Sequence, residues 1–188
     1  MESLAESTKL TYEDYCDLPD DGKRYEIIDG ELYVNPAPNL KHQRVIVNLV
    51  LALGFFVRDH KLGDVYVAPT DVVLSKTDVV QPDVLFITNE NADRLTRANV
   101  QGAPDLAIEV LSESNRRHDE VIKRKRYEGF GVAEYWIVDP ELELVKVFRR
   151  GADDKFERPM EISVEEGGAL TSALLPGFSM PIADVFAD

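Results

Sequence analysis

The 188-residue sequence contains one cysteine, Cys16, so an internal disulfide cannot form, and no Cys/His cluster offers a zinc framework. Long apolar runs are also missing. The longest, Val45 to Val57, is interrupted by Asn48 and Gly54 and falls short of the ~18 residues that read as a membrane span. The opening MESLAESTKL lacks the basic start and apolar stretch of a signal peptide. These absences exclude a secreted disulfide scaffold, a zinc finger and a membrane protein, and the expectation is a cytoplasmic protein with no membrane partner. Positive charge is scarce as well: 21 Lys and Arg stand against 35 Asp and Glu, a net charge of −14 that repels a polyanion such as DNA.

The scarcity is uneven. Residues 116–126 (RRHDEVIKRKR) hold six bases and two acids, whereas residues 139–188 hold eleven acids and five bases. The basic run reads either as a solvated helix face or as a cationic patch aimed at phosphate. Composition does not choose between them.

Periodicity predicts a mixed α/β domain around one sheet. Residues 11–18 read as a short helix. Asp29-Gly30, between RYEII and ELYV, is a hairpin signal because both turn residues need positive φ. Residues 36–38 (PAP) break the second strand. Val45, Leu49, Leu53 and Phe56 recur at helical spacing within 39–60, with Gly63 as terminator. Three extended segments follow, 64–69, 71–75 and 79–87. PDLAIEVL (104–111) is apolar enough to be covered on both faces. Residues 115–130 read as a helix ended at Gly129-Phe130-Gly131, 133–139 and 142–150 as strands, and the last forty residues as weaker strands.

Two carboxylates interrupt these apolar strands. Asp83 follows Pro82 in VVQPDVLFI, and Glu109 sits in LAIEVLS, sharing a strand face with Asp105 and Ala107. A lone buried carboxylate costs several kcal/mol, so Glu109 must be protonated, paired with a base from the next helix, or bound to metal. Two carboxylates with oxygen ligands suit magnesium, which keeps waters in its remaining positions. On the following helix Asp119, Lys123, Tyr127 and Phe130 share one face, so Lys123 is placed to reach back toward Glu109, while Arg124, Lys125 and Arg126 face solvent or phosphate. A lysine there can orient an attacking water and stabilise charge on a phosphate.

With those residues in view, the chain resembles the Uma-type restriction endonuclease family, a branch of the PD-(D/E)xK nuclease superfamily. The resemblance is carried by YEIIDGEL (25–32), His42-Gln43, QPDVLF (81–86), APDLAIEVLSES (103–114), the Asp119, Lys123, Tyr127 ladder and GVAEYWIVDP (131–140). It implies a restriction-endonuclease-like α/β fold: a mixed central sheet flanked by helices, with an N-terminal hairpin and a C-terminal β extension. One domain is expected over 1–188, with its core at about 20–150. The resemblance also implies Asp83 and Glu109 as metal ligands. The superfamily's lysine lies two residues after the second acid, where this chain has Leu111; variants with the lysine moved to the neighbouring helix again single out Lys123.

Glu26, in RYEIIDG, matches a recurrent family glutamate and is either a further acid of the metal site or a half-exposed residue paired with Lys23 or Arg24. His42 reads as a hydrogen-bonding residue or a base, and Gln81 as a site residue or a solvent-facing one. Asp105, Tyr135 and Trp136 read as structural. The leading expectation is a Mg2+-dependent endonuclease, with Mn2+ as a substitute, that hydrolyses DNA and acts as a homodimer; in it Asp83, Glu109, Lys123 and Glu26 are catalytic. The alternatives are a non-catalytic binding or assembly module on the same fold, and a paired-carboxylate hydrolase acting on sugars.

Overall fold

The structure, a computed structural model, describes residues 9–35, 38–112 and 116–188. The strand break expected at 36–38 lies partly outside these residues, as does position 115 of the expected 115–130 helix.

The first element is a five-residue helix, Tyr12–Cys16 (α1), capped by Thr11 and Asp14 in a reciprocal capping box. Arg24–Ile28 (β1) and Glu31–Asn35 (β2) form the expected hairpin, with Asp29 at φ 54° and Gly30 at φ 78°. The long helix Leu40–His60 (α2) is capped by Asn39, whose side chain accepts the His42 N–H at 2.8 Å. It closes on Lys61 at φ 54° rather than at Gly63. Gly63 instead begins the next strand at φ 152°, where a Cβ would collide with the Ile87 carbonyl.

The strands Gly63–Val67 (β3), Val72–Ser75 (β4), Asp78–Val80 (β5), Val84–Thr88 (β6), Val100–Gln101 (β7) and Leu106–Val110 (β8) follow. A continuous helix runs from Arg116 to Phe130, π-helical over His118–Lys123 and regular over Arg124–Phe130 (α3), and ends on Gly131 at φ 92°. Glu134–Asp139 (β9), Leu144–Arg149 (β10), Met160–Ser163 (β11), Ala169–Leu170 (β12), Met180–Pro181 (β13) and the short helix Ile182–Val185 (α4) complete the chain.

The strands form two principal sheets rather than the one expected: five strands ordered β2-β1-β5-β4-β7 and six ordered β11-β10-β9-β8-β6-β3, with β12 and β13 as a separate pair. The division falls inside the segment 79–87. Gln81-Pro82-Asp83 leaves β5 in the smaller sheet and starts β6 in the larger, as a proline without an N–H would require of a strand interior.

Strand β8 is central, antiparallel to β6 and parallel to β9, and is buried on both faces as its composition implies. Leu106, Ile108 and Val110 face Val45, Leu49, Leu53 and Val57 of α2, in a core that also takes Trp136, Phe178, Ile182 and Val185. Ala107 and Leu111 join Tyr127, Tyr135, Ile28 and Val72 in a second core on the other face. Asn48, which interrupts the apolar run of α2, donates to the carbonyls of Val185 and Ala187 and so ties down the C-terminal extension.

Helix α2 is long and apolar enough, by length and composition, to cross a membrane. Its stripe of Val45, Leu49, Leu53 and Val57 is nevertheless committed to the core, while Val47, Leu51 and Phe55 face outward. Leu53→Ala is therefore expected to lower the unfolding free energy by about 2–5 kcal/mol through lost burial and a cavity. Leu51→Ala should shift it by less than about 0.5 kcal/mol. Urea titration of both variants checks this, and equal costs would contradict the one-sided burial.

Candidate active site at the junction of the two sheets

The segment that crosses between sheets also delivers Asp83. Its Oδ2 accepts the Val110 N–H at 2.9 Å, which fastens the carboxylate beside Glu109 on β8. His42 Nε2, from the first turn of α2, lies 3.2 Å from the same oxygen, and Arg24 Nη1, from β1, lies 3.2 Å from Oδ1.

Glu26 points from β1 into the same region and is fully buried. Its Oε1 accepts the Gln81 N–H at 2.6 Å and lies 2.8 Å from Lys123 Nζ, while Oε2 accepts from Asn35 at 2.7 Å. Lys123 reaches Glu109 Oε1 at 3.0 Å and Asp119 Oδ1 at 3.7 Å. Tyr127, one turn further along the helix, donates to Glu109 Oε1 at 2.8 Å.

One buried ammonium thus faces three carboxylates, and their proton affinities divide accordingly. Burial opposes charge on Lys123, but Glu109, Glu26 and Asp119 outweigh it and raise its pKa, keeping the side chain cationic. Burial would likewise raise Glu26, yet the Lys123 charge, His118 and the Gln81 N–H hold it well below the usual carboxylate range. Asp83 is held down, against its burial, by His42, Arg24 and the Val110 N–H. Glu109 goes the other way: burial lifts it well above the usual range, and neighbouring Asp119, Asp83 and Glu26 add to what Lys123 cannot offset. Burial also pushes Asp119 up, to about 6.

Asp83, Glu109, Lys123 and Glu26 therefore meet in one buried cluster. Glu26 is not half-exposed and does not pair with Lys23 or Arg24, because β1 turns it inward to Lys123. His42 and Gln81 both belong to the cluster's surroundings. Asp105 stays structural, accepting from the Thr88 N–H and hydroxyl and from Asn91. Tyr135 and Trp136 are fully buried.

The cationic run 116–126 is largely internal in its charge. Arg116 pairs with Asp139 at 2.6 Å, Arg126 with Asp29 and Asp78, and Arg124 lies over the Phe148 ring. The expectation that Arg124 and Arg126 face solvent or phosphate is corrected by these partners, which leave Arg117 and Lys125 as its exposed cations.

Two members of the cluster carry little signal in the sequence. Arg24 was legible only as a neighbour of Glu26, because its partner Asp83 lies far along the chain. His118 precedes Lys123 by five residues, a spacing that a regular helix puts on another face. The π-helical turn brings it round, and its Nε2 lies 3.7 Å from Glu26 Oε2. Among the described residues His118 Nε2, His42 Nδ1 and Asp119 Oδ1 take no hydrogen bond.

The raised Asp119 pKa means that the folded protein binds a proton there which the unfolded chain has already lost. Stability from this group is present below about pH 4 and is lost as pH rises to about 6. In chelator, Asp119→Asn should therefore become more stable than the parent by roughly 1–3 kcal/mol between pH 4 and pH 6.5, with no further gain above. Denaturant unfolding across that range measures it, and a pH-independent difference would contradict the assignment.

Comparison with known proteins gives the fold and the family. The solved structure of a protein described as a putative nuclease belonging to DUF820, from Anabaena variabilis, superposes with a TM-score of 0.79 at 18% sequence identity. The match covers 94% of this chain and 97% of that one, and the shared architecture is a restriction-endonuclease-like fold. No curated protein matches the sequence. The family described as "Uma2: Putative restriction endonuclease" matches residues 12–183, nearly the whole chain, and the protein belongs to that family.

Proposed function

We propose that the protein is a magnesium-dependent endonuclease that hydrolyses DNA phosphodiester bonds, with Asp83 and Glu109 as the metal ligands and Lys123 assisting the attack of water. The observation that carries this reading is the convergence of Asp83, Glu109 and Lys123 from three separate elements on one buried position.

The donor set fits a hard divalent cation. It is made of carboxylate oxygens, its negative charge exceeds what Lys123 offsets, and the unbonded Asp119 Oδ1 lies at its edge. Among the described residues no three His, Cys, Asp or Glu groups are arranged around one metal position. Magnesium is held by one or two carboxylates and keeps its remaining waters, which the two proposed oxygen ligands Asp83 and Glu109 match. When bound, the ion supplies Lewis-acid polarisation of a phosphoryl oxygen and activation of water; manganese is the expected substitute.

The chain's own residues do the rest. Asp83 is oriented by the Val110 N–H and His42. Glu109 is oriented by Tyr127. Lys123 stays charged, so its Nζ donates to the attacking water and offsets charge that develops on the scissile phosphate. Glu26 fixes Lys123 from the opposite side and thereby sets where that donor points. A homodimer that places two exposed Arg117 and Lys125 pairs along one duplex is the assembly this reading favours, since a body of net charge −14 binds DNA weakly alone.

Plasmid and single-stranded DNA incubated with Mg2+ or Mn2+ test the proposal. Cleavage is expected with the parent protein and should fall by roughly 10²–10³-fold in Asp83→Ala and Lys123→Ala, both checked for native near-UV circular dichroism. Cleavage that persists in both variants, or its absence from the parent at every metal concentration, overturns the assignment. The second outcome favours a non-catalytic module on the same fold.

A further inference from the structure

Arg24 is the member of the cluster that combines a fixed positive charge with access to solvent. Its side chain is 22% exposed, against 6% for Asp83 and 3% for Lys123. Its guanidinium is gripped twice by one residue: Nε donates to Gln81 Oε1 at 3.3 Å, and Nη2 donates to the Gln81 carbonyl at 2.7 Å. Gln81 is itself anchored, donating from Nε2 to Asp71 at 2.8 Å and to the Tyr15 hydroxyl at 3.1 Å. The Tyr15 hydroxyl in turn donates to Asp71 at 2.6 Å. Arg24 is therefore held in place without help from its third contact, the one from Nη1 to Asp83 Oδ1.

That third contact occupies the oxygen a cation needs. Asp83 Oδ2 is already committed to the Val110 N–H and His42, which leaves Oδ1, and Arg24 sits on it at 3.2 Å. Arg24 and a divalent ion thus compete for one carboxylate oxygen. Once Asp83 turns to the ion, Nη1 is left without its acceptor, on a guanidinium still fixed by Gln81 and still at the solvent edge. A pinned planar fork of that kind matches a phosphate.

Resting on the metal-dependent reading above, we infer that Arg24 has two successive partners: it is the counter-ion of Asp83 in the metal-free protein, and a binding residue for a backbone phosphate of the nucleic acid once a divalent ion has taken Asp83. Arg24 then couples the two loading events. Until a divalent ion arrives Arg24 offsets the charge of Asp83, and the phosphate contact becomes available only after the metal is in place.

Two binding measurements test this without reference to turnover. Mn2+ binding is followed by electron paramagnetic resonance in the parent, Arg24→Met and Arg24→Lys. Binding of a mixed-sequence duplex oligonucleotide is followed in Ca2+, over a range of salt concentrations. Arg24→Met should bind Mn2+ roughly tenfold more tightly, because a charged hydrogen-bond competitor is gone. Its DNA affinity should fall, and the slope of log affinity against log salt should shrink by about 0.9, the loss of one phosphate contact. Arg24→Lys keeps the charge but cannot grip Gln81 and Asp83 together, so it should retain the salt slope while binding Mn2+ more tightly than the parent.

A parent protein that binds no Mn2+ overturns the metal-dependent function and this inference with it. If the parent binds Mn2+, an unchanged or weakened Mn2+ affinity in Arg24→Met overturns the Arg24 role alone, as does an unchanged salt slope. Should Arg24→Met not fold, Arg24→Lys decides the matter: Mn2+ affinity at or below that of the parent overturns the role.

Discussion

The ammonium of Lys123, buried among Glu26, Glu109 and Asp119, is the interaction on which the rest of the site depends. A cation without water is tolerable only where acids surround it, and an acid without water only where a cation or proton reaches it. Neither side is stable without the other. Because Lys123 cannot offset all three acids, the cluster retains a deficit of positive charge, expressed in the raised Glu109 and Asp119 carboxyls. A hydrophobic replacement of the whole group would serve folding as well or better. The gathering of so many ionisable groups in one buried cluster is the feature on which the proposed chemistry rests.

The architecture explains why the cluster lies where it does. Pro82 ends the pairing of β5 and releases the chain into β6, so the one residue between that proline and the new strand sits at the boundary of two sheets. Asp83 occupies that position. Glu26 arrives from the smaller sheet, Glu109 from the larger, and Lys123 from the helix that covers both. The protein's overall acidity belongs to the same picture. Half of the six cations of the 116–126 segment, Arg116, Lys123 and Arg126, pair with Asp139, Asp29, Asp78 and the buried acids, so fewer remain to meet an external polyanion.

Much of this was legible in the residues. The Asp29-Gly30 turn follows from the need for positive φ, and the burial of β8 on both faces from a composition that is apolar but for Glu109. The shared face of Asp119, Lys123 and Tyr127 follows from helical spacing, which also carried Lys123 toward Glu109. What was not legible has physical reasons. Period-two alternation says that a segment is a strand but not which neighbour it pairs with, so one sheet was expected where there are two. The π-helical turn that swings His118 toward Glu26 leaves no mark on a 3.6-residue pattern. The ion pairs of Arg24, Arg116 and Arg126 join residues remote in sequence, so a basic run that reads as free charge is mostly spoken for.

The crossing at Pro82 has a consequence for biosynthesis. Because the cluster draws on β1, the inter-sheet link, β8 and the helix after it, the chain must leave the ribosome as far as Lys123 before its parts can meet. The earlier nascent segments hold Glu26 and Glu109, but the lysine that pairs with both comes later. A product that ends before Lys123 lacks the cation its buried acids require, so premature termination leaves Glu26 and Glu109 without their shared counter-charge.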